Sequence, residues 1–209
     1  MFDDFSYICE LIIRKKRMLS SQNKNSDLVF LIYKSDRTVF RLNDIAMISG
    51  EMNFLSLNKK LNYLVRTGRL LNPRKGIYTK PDYSLEELAC RIYSPAYISL
   101  EYVLMKAGII FQYDTGITAV SYLSRSIEVV GREFRYRKIK GNVLVNTTGI
   151  IRQDNHVNIA TPERAFLDVL YLDAHYYFDN TNSLDKEQLA KILPIYQSTA
   201  LNIRTKNLF

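Results

Sequence analysis

Between Met52 and Pro81 the chain carries seven basic residues and no acidic one, over a pattern that leaves little freedom in local structure. Phe54, Leu57, Leu61, Leu64 and Val65 recur at helical spacing and form one apolar stripe. A helix over about Phe54–Thr67, closed by Gly68, is the local conformation that buries them together. Arg69–Asn72 and Ile77–Lys80 flank the turn sequence Pro73-Arg74-Lys75-Gly76, and Pro81 stops the second run, which predicts a β-hairpin. The cations in this window are Lys59, Lys60, Arg66, Arg69, Arg74, Lys75 and Lys80. A merely solvated face mixes both signs of charge, so the acid-free window points to an anion-binding surface.

The preceding residues complete a recognisable order. Asp27 can cap a helix through Leu28–Tyr33, and Thr38–Phe40 reads as extended. Asn43 can cap a second helix, Asp44–Ser49, which Gly50 ends. Ala46 and Gly50 have the spacing of a helix-turn-helix. Three helices and a basic hairpin predict a winged helix-turn-helix over residues 27–83, and the partner predicted is double-stranded DNA. A major groove admits one helix, and its base edges are read by forked or amide side chains. Asn62 and Arg66 are such groups, one turn apart. Lys59 and Tyr63 can reach bases or phosphates from the same face, and Arg69 follows where the helix ends. Arg74 and Lys75, at the expected wing tip, can reach an adjacent backbone or minor groove.

Charge is distributed unevenly. The net +8 (29 Lys/Arg against 21 Asp/Glu) divides into +7 for residues 1–83 (15 against 8) and +1 for residues 84–209 (14 against 13). The acidic start Met1–Asp4 and the interruption at Glu10 do not read as a secretory leader. No apolar run approaches the roughly 20 residues of a membrane span. Two cysteines, Cys9 and Cys90, fit a reduced compartment, so a cytoplasmic protein is expected. No cofactor motif or zinc spacing is present. Residues 1–26 read as a helical extension, with Phe5, Ile8, Cys9, Ile12 and Ile13 on one face, followed by a polar break at Ser20–Ser26.

Residues 84–209 read as an α+β domain with a mostly antiparallel sheet and flanking helices. Helices are expected over Leu85–Tyr93, after a Ser99 cap, after Thr161-Pro162-Glu163, and over Asp185–Leu193, before a basic tail. Strands are expected near Ile117–Tyr122, Ser126–Val130, Glu133–Ile139 and in a hairpin near Gly149–Ile159. Along Arg132–Lys138, Arg135 and Arg137 fall on one face and Phe134 and Tyr136 on the other. The strand is either an ordinary amphipathic one or a second strip of nucleic-acid contacts.

Three runs carry a further likeness. They are Gly68-Arg69-Leu70 through Arg74-Lys75-Gly76-Ile77-Tyr78; Tyr97-Ile98-Ser99-Leu100-Glu101-Tyr102-Val103-Leu104 followed by Gly108-Ile109-Ile110; and Ile159-Ala160-Thr161-Pro162-Glu163-Arg164-Ala165-Phe166-Leu167-Asp168. In this order, across about Asp27–Asp173, they resemble the AbiEi family of antitoxin-type transcriptional regulators. The resemblance implies an N-terminal winged helix, a C-terminal α+β domain and repression of the protein's own operon in a toxin–antitoxin or phage-defence pair. It also implies a nucleotidyltransferase toxin (AbiEii type) countered without a tight complex. The Ser99–Glu101 and Thr161–Glu163 stretches read as capping.

The competing reading is a metal-dependent nuclease, or a DNA-binding protein derived from one, which needs two or three convergent carboxylates. Asp114, Glu128 and Glu133 lie near strands and Asp154 in a turn, but no Glu-x-Lys follows on one strand. His156 and His175 adjoin no Gly-x-Ser-x-Gly turn, and no P-loop sequence occurs. The sequence is therefore read as a non-enzymatic regulator with no catalytic or metal-ligating residue.

Overall fold

The computed structural model describes residues 27–206 and Leu208 as a mixed α+β protein with two sheets. The expected helix over Asp3–Leu19 lies outside the described residues. Residues 27–34 are helical (α1) and lead to β1 (Val39–Arg41), α2 (Leu42–Ser49) and α3 (Phe54–Arg66). A hairpin of β2 (Leu71–Arg74) and β3 (Ile77–Thr79) follows. The three strands form an antiparallel sheet in the order β1-β3-β2.

The helix ends follow from particular side chains. Asn43 does not cap α2 but lies inside it. The flanking residue is Arg41, whose N–H donates to the Asp44 carboxylate at 2.9 Å. Gly50 ends α2 in the left-handed conformation (φ 66), which costs a residue without a Cβ little. Asn53 caps α3, its side-chain oxygen accepting from the N–H groups of Leu55 and Ser56. Leu57, Leu61 and Leu64 are fully buried, as the stripe requires, whereas Phe54 at its N-terminal end is 46% exposed.

The second sheet has six strands. They are β4 (Ala96–Ile98), β5 (Ile117–Ser121), β6 (Arg125–Val129), β7 (Arg132–Lys138), β8 (Ile150–Arg152) and β9 (Asn158–Ala160), in the order β6-β7-β5-β4-β9-β8. It is mixed: three of its five joints are antiparallel, in line with the expected majority, and β5–β7 and β4–β9 are parallel. The sequence pattern gave local hairpins and did not reveal β4, a three-residue strand just after Ser94-Pro95 that joins the two halves of the sheet. Helices α4 (Leu85–Ile92), α5 (Glu101–Lys106), α6 (Gly141–Val145), α7 (Pro162–Leu172), α8 (Lys186–Ile192) and α9 (Thr199–Lys206) surround it. A 3-10 turn at Leu193–Tyr196 separates α8 from α9, and α9 occupies the expected basic tail.

Alternating residues of β1 and β3 serve two cores. Phe40 and Tyr78 join Leu28, Ile32, Ile45, Leu57, Leu61, Leu64 and Leu70 in the smaller core. Their chain neighbours Val39 and Ile77 face the larger core, with Leu88 and Ala89 of α4. Period-two geometry produces this directly. Polar bonds close the same seam. Glu87, 1% exposed, accepts from the Thr38 N–H (2.8 Å) and hydroxyl (2.6 Å). The Arg41 guanidinium donates twice to the Arg91 carbonyl, at 2.8 and 2.6 Å.

A buried polar cluster ties the larger layer together. Asp168 of α7 accepts from the hydroxyls of Tyr97 (β4), Ser99 and Tyr196, and lies 3.5 Å from Arg164 Nε. Both Arg164 and Asp168 are fully buried. Arg164 also donates to the carbonyls of Thr148 and Val143. Ser99 thus bonds across the core and does not cap α5, whose flanking residue is Leu100. Thr161 does cap α7, accepting from the Arg164 N–H. Gly149 passes so close that a Cβ would sit 3.0 Å from Arg164 Cβ and 2.8 Å from Ile192 Cδ1.

Removing one member of such a pair strands the other as an uncompensated buried charge. Arg164→Met is expected to lower unfolding stability by about 3–5 kcal/mol, read as a lower urea midpoint at unchanged slope. A loss below about 1 kcal/mol would contradict the role assigned to this cluster.

Candidate nucleic-acid interface

With Leu57, Leu61 and Leu64 buried, the opposite face of α3 presents Lys59, Asn62 and Arg66, all exposed, and half-buried Tyr63. The Arg66 guanidinium lies 5.8 Å from the Tyr63 ring centroid. Past the helix end, the Arg69 side chain is exposed while its carbonyl accepts from the Tyr33 hydroxyl at 2.8 Å, which ties α1 to this corner. The hairpin turn is Lys75-Gly76, with Gly76 at φ 79 and the Asn72 side-chain amide donating to the carbonyls of Arg74 and Ile77. Lys75 is exposed at this tip.

Arg74 is placed differently from its expected position at the tip. It lies within β2, half-buried, its guanidinium 5.5 Å from the Tyr93 ring centroid and 3.4 Å from the Tyr93 hydroxyl. Tyr93 in turn stacks edge-on against Tyr136 of β7. Arg74 therefore packs the hairpin onto the larger layer. Two further cations of the window have structural partners: Lys60 pairs with Glu51 at 2.7 Å, and Lys80 donates to the Ser35 carbonyl beyond α1 at 2.6 Å. The Lys60 ammonium and the Asn53 N–H hold the Glu51 carboxyl below its ordinary value. The seven cations legible in the sequence reduce to Lys59, Arg66, Arg69 and Lys75 as exposed groups with no ion pair among the described residues.

The second candidate strip resolves into two unlike residues. Phe134 and Tyr136 are buried, as alternation requires, and Arg137 is exposed. Arg135 bonds to Asp114 and lies 3.4 Å from Glu133, so its charge is largely met. Burial pushes the Asp114 carboxyl up, but the Gly116 N–H and Arg135 outweigh it and hold it below its ordinary value.

The same contacts engage two of the acids weighed for a nuclease. Asp114 and Glu133 are both occupied by Arg135, while Glu128 lies directly across from Glu133 in the β6–β7 register. Asp154 sits exposed in the β8–β9 turn. Among the described residues no group of three His, Cys, Asp or Glu is arranged to hold a metal ion. Cys90 is a poor nucleophile, because burial pushes its thiol up to about 12. His156 contacts Arg152 and is exposed, as is His175. A cleft of about 290 Å³ lies among Asp27, Leu28, Leu31, Gly50, Glu51 and Lys60, where Glu51 and Lys60 pair with each other. No helix among the described residues is long and apolar enough to cross a membrane.

No model of a known protein family matches the chain, and no curated protein matches it.

The position of Arg74 yields a direct test. Arg74→Ala is expected to cost about 0.5–1 kcal/mol of stability, seen as a small fall in melting temperature, through loss of its contact with Tyr93. Tyr93→Leu should remove that increment together with the Tyr136 contact, so Arg74→Ala should cost little further in the Tyr93→Leu background. Fully additive losses would show that the two side chains act independently.

Proposed function

We propose that the chain is a double-stranded-DNA-binding regulator in which residues 27–83 act as a winged helix-turn-helix. In this reading α3 enters the major groove, and the β2–β3 hairpin lies on the flanking backbone as the wing. The observation that carries it is the outer face of α3. Lys59, Asn62 and Arg66 are exposed along one stripe opposite three fully buried leucines, and Arg69, past the helix end, and Lys75, at the hairpin tip, are exposed as well. Asn62 and Arg66 have the hydrogen-bonding groups that read adenine and guanine edges, while Lys59, Arg69 and Lys75 suit phosphates. Arg137 lies in a different sheet and is not assigned to this footprint.

The likeness of three sequence runs to the AbiEi regulators supports a more specific role. The chain would act in the cytoplasm as the antitoxin-type repressor of its own operon, two copies occluding an operator of repeated half-sites. Its functional partner would be a nucleotidyltransferase toxin that it counters without a stable complex. The second and third runs, far apart in sequence, meet at Asp168, where Tyr97 and Ser99 of one run bond to the last residue of the other.

Four exposed cations per chain set the expected salt response. Affinity for a duplex from upstream of the reading frame should fall about 100-fold between roughly 50 and 200 mM salt. Arg66→Ala should lower affinity by about 1–3 kcal/mol, and Lys75→Ala should reduce the salt slope by about one. Fluorescence anisotropy titrations would measure both effects, and a flat salt response would refute the DNA-binding reading. Co-expression with a nucleotidyltransferase encoded beside it should relieve that enzyme's growth arrest. Persistent arrest would remove the antitoxin role and leave DNA binding standing.

A further inference from the structure

We infer that Leu55 is a specificity-determining residue that packs against the 5-methyl group of a thymine in the operator. The inference rests on the groove-reading role proposed for α3. Leu55 is 76% exposed in the first turn of that helix. At 3.6 residues per turn, Leu55, Lys59, Asn62 and Arg66 fall within an arc of about 60°, so the leucine begins the stripe that the three polar residues continue. The stripe extends about 17 Å, which matches the length of about five base-pair steps.

Among the described residues Leu55 joins neither core, and it lies on the face of α3 that carries Lys59 and Arg66. Leu57, Leu61 and Leu64 already fill the core on the other side. The apolar group that DNA presents in its major groove is the thymine methyl, and aliphatic side chains discriminate thymine by contact with it. Charge complementarity brings the duplex to this face, since Lys59 and Arg66 lie on the same stripe. The helix start offers Leu55 little competition from a phosphate, because the N–H groups of Leu55 and Ser56 are taken by the Asn53 side chain.

Other exposed apolar residues nearby do not share this alignment. Phe54 is one position earlier, about 100° around the helix. Met47, 83% exposed, belongs to α2. Asn62 and Arg66 would thus read purine edges while Leu55, at the N-terminal end of the stripe, reads the presence of one methyl group.

The experiment uses the full chain and a duplex selected from a random pool for tight binding. Each thymine is replaced in turn by uracil, which removes the methyl group and leaves the pairing edge intact. One thymine per half-site should show about a fourfold loss of affinity, the value of one buried carbon group. That loss should vanish in Leu55→Ala and persist in Met47→Ala. Leu55 is exposed, so the variant should fold, and its circular dichroism and melting temperature provide the control. A uracil scan that is flat, or that is unchanged in Leu55→Ala, would overturn the inference while leaving DNA binding intact. A shift of the free protein from dimer to monomer in Leu55→Ala, by sedimentation, would also overturn it, by assigning the residue to a second copy of the chain. Failure of the wild-type chain to select any duplex at low salt would instead refute the DNA-binding reading itself.

Discussion

Val39 and Phe40 are neighbours in the chain and are buried in different cores. That follows from the period of an extended strand, and it fixes how the basic part of the molecule relates to the nearly neutral part. Ile77 and Tyr78 repeat the division one strand away. The small sheet is therefore a shared wall, with α1, α2 and α3 on one face and α4 on the other. Glu87, Arg41 and Arg74 reinforce this seam through Thr38, the Arg91 carbonyl and Tyr93. The part that carries α3 thereby packs against the larger layer through buried side chains and hydrogen bonds.

On the far side of that wall, the problem is desolvation. Asp168 and Arg164 lose water entirely, and hydroxyls and carbonyls supply hydrogen bonds to every polar atom of the pair except Arg164 Nε, which has only the 3.5 Å approach of Asp168. Burial raises the Asp168 carboxyl above its ordinary range, while the Tyr97, Ser99 and Tyr196 hydroxyls and the Arg164 guanidinium pull the other way. The donors come from β4, from the residue that follows it and from the 3-10 turn, and the carbonyls from the segment spanning α6 and the residues after it. A side chain of the wrong size or polarity at any of these points leaves a buried charge short of partners. The cluster thus specifies the arrangement of several elements that share little local sequence pattern.

Much of the candidate surface was legible because it is local. The leucine stripe of α3 names its opposite face, and the hairpin follows from residue types, although its turn is Lys75-Gly76 and the expected turn residues Pro73 and Arg74 belong to β2. Thr161-Pro162 likewise announces the start of α7. The features that escaped reading depend on partners distant in sequence. Arg74 turns toward Tyr93, and Ser99 bonds to Asp168, 69 positions away. Arg164 is a cation inside a core, which a hydropathy pattern reads as exposed. β4 is too short for alternation to register, and the parallel joints at its side and at β5 carry no turn signal at all. Charge counting also overstated the positive surface, since Lys60, Lys80 and Arg74 are each engaged by the fold.

The outer strands of the two sheets have a consequence of another kind. Among the described residues β6 and β8 have a strand partner on one side only, and a bare strand edge is a template for adding another chain. On β6 the exposed positions include Arg125 and Glu128, the latter facing Glu133 across the ladder; β8 ends on exposed Arg152. In the smaller sheet, edge strand β2 contains Pro73 and a register shift beside it. Charge at two edges and a missing N–H at the third oppose lateral growth. Arg125 and Glu128 thus set charge on the strand where a second copy would have to pair.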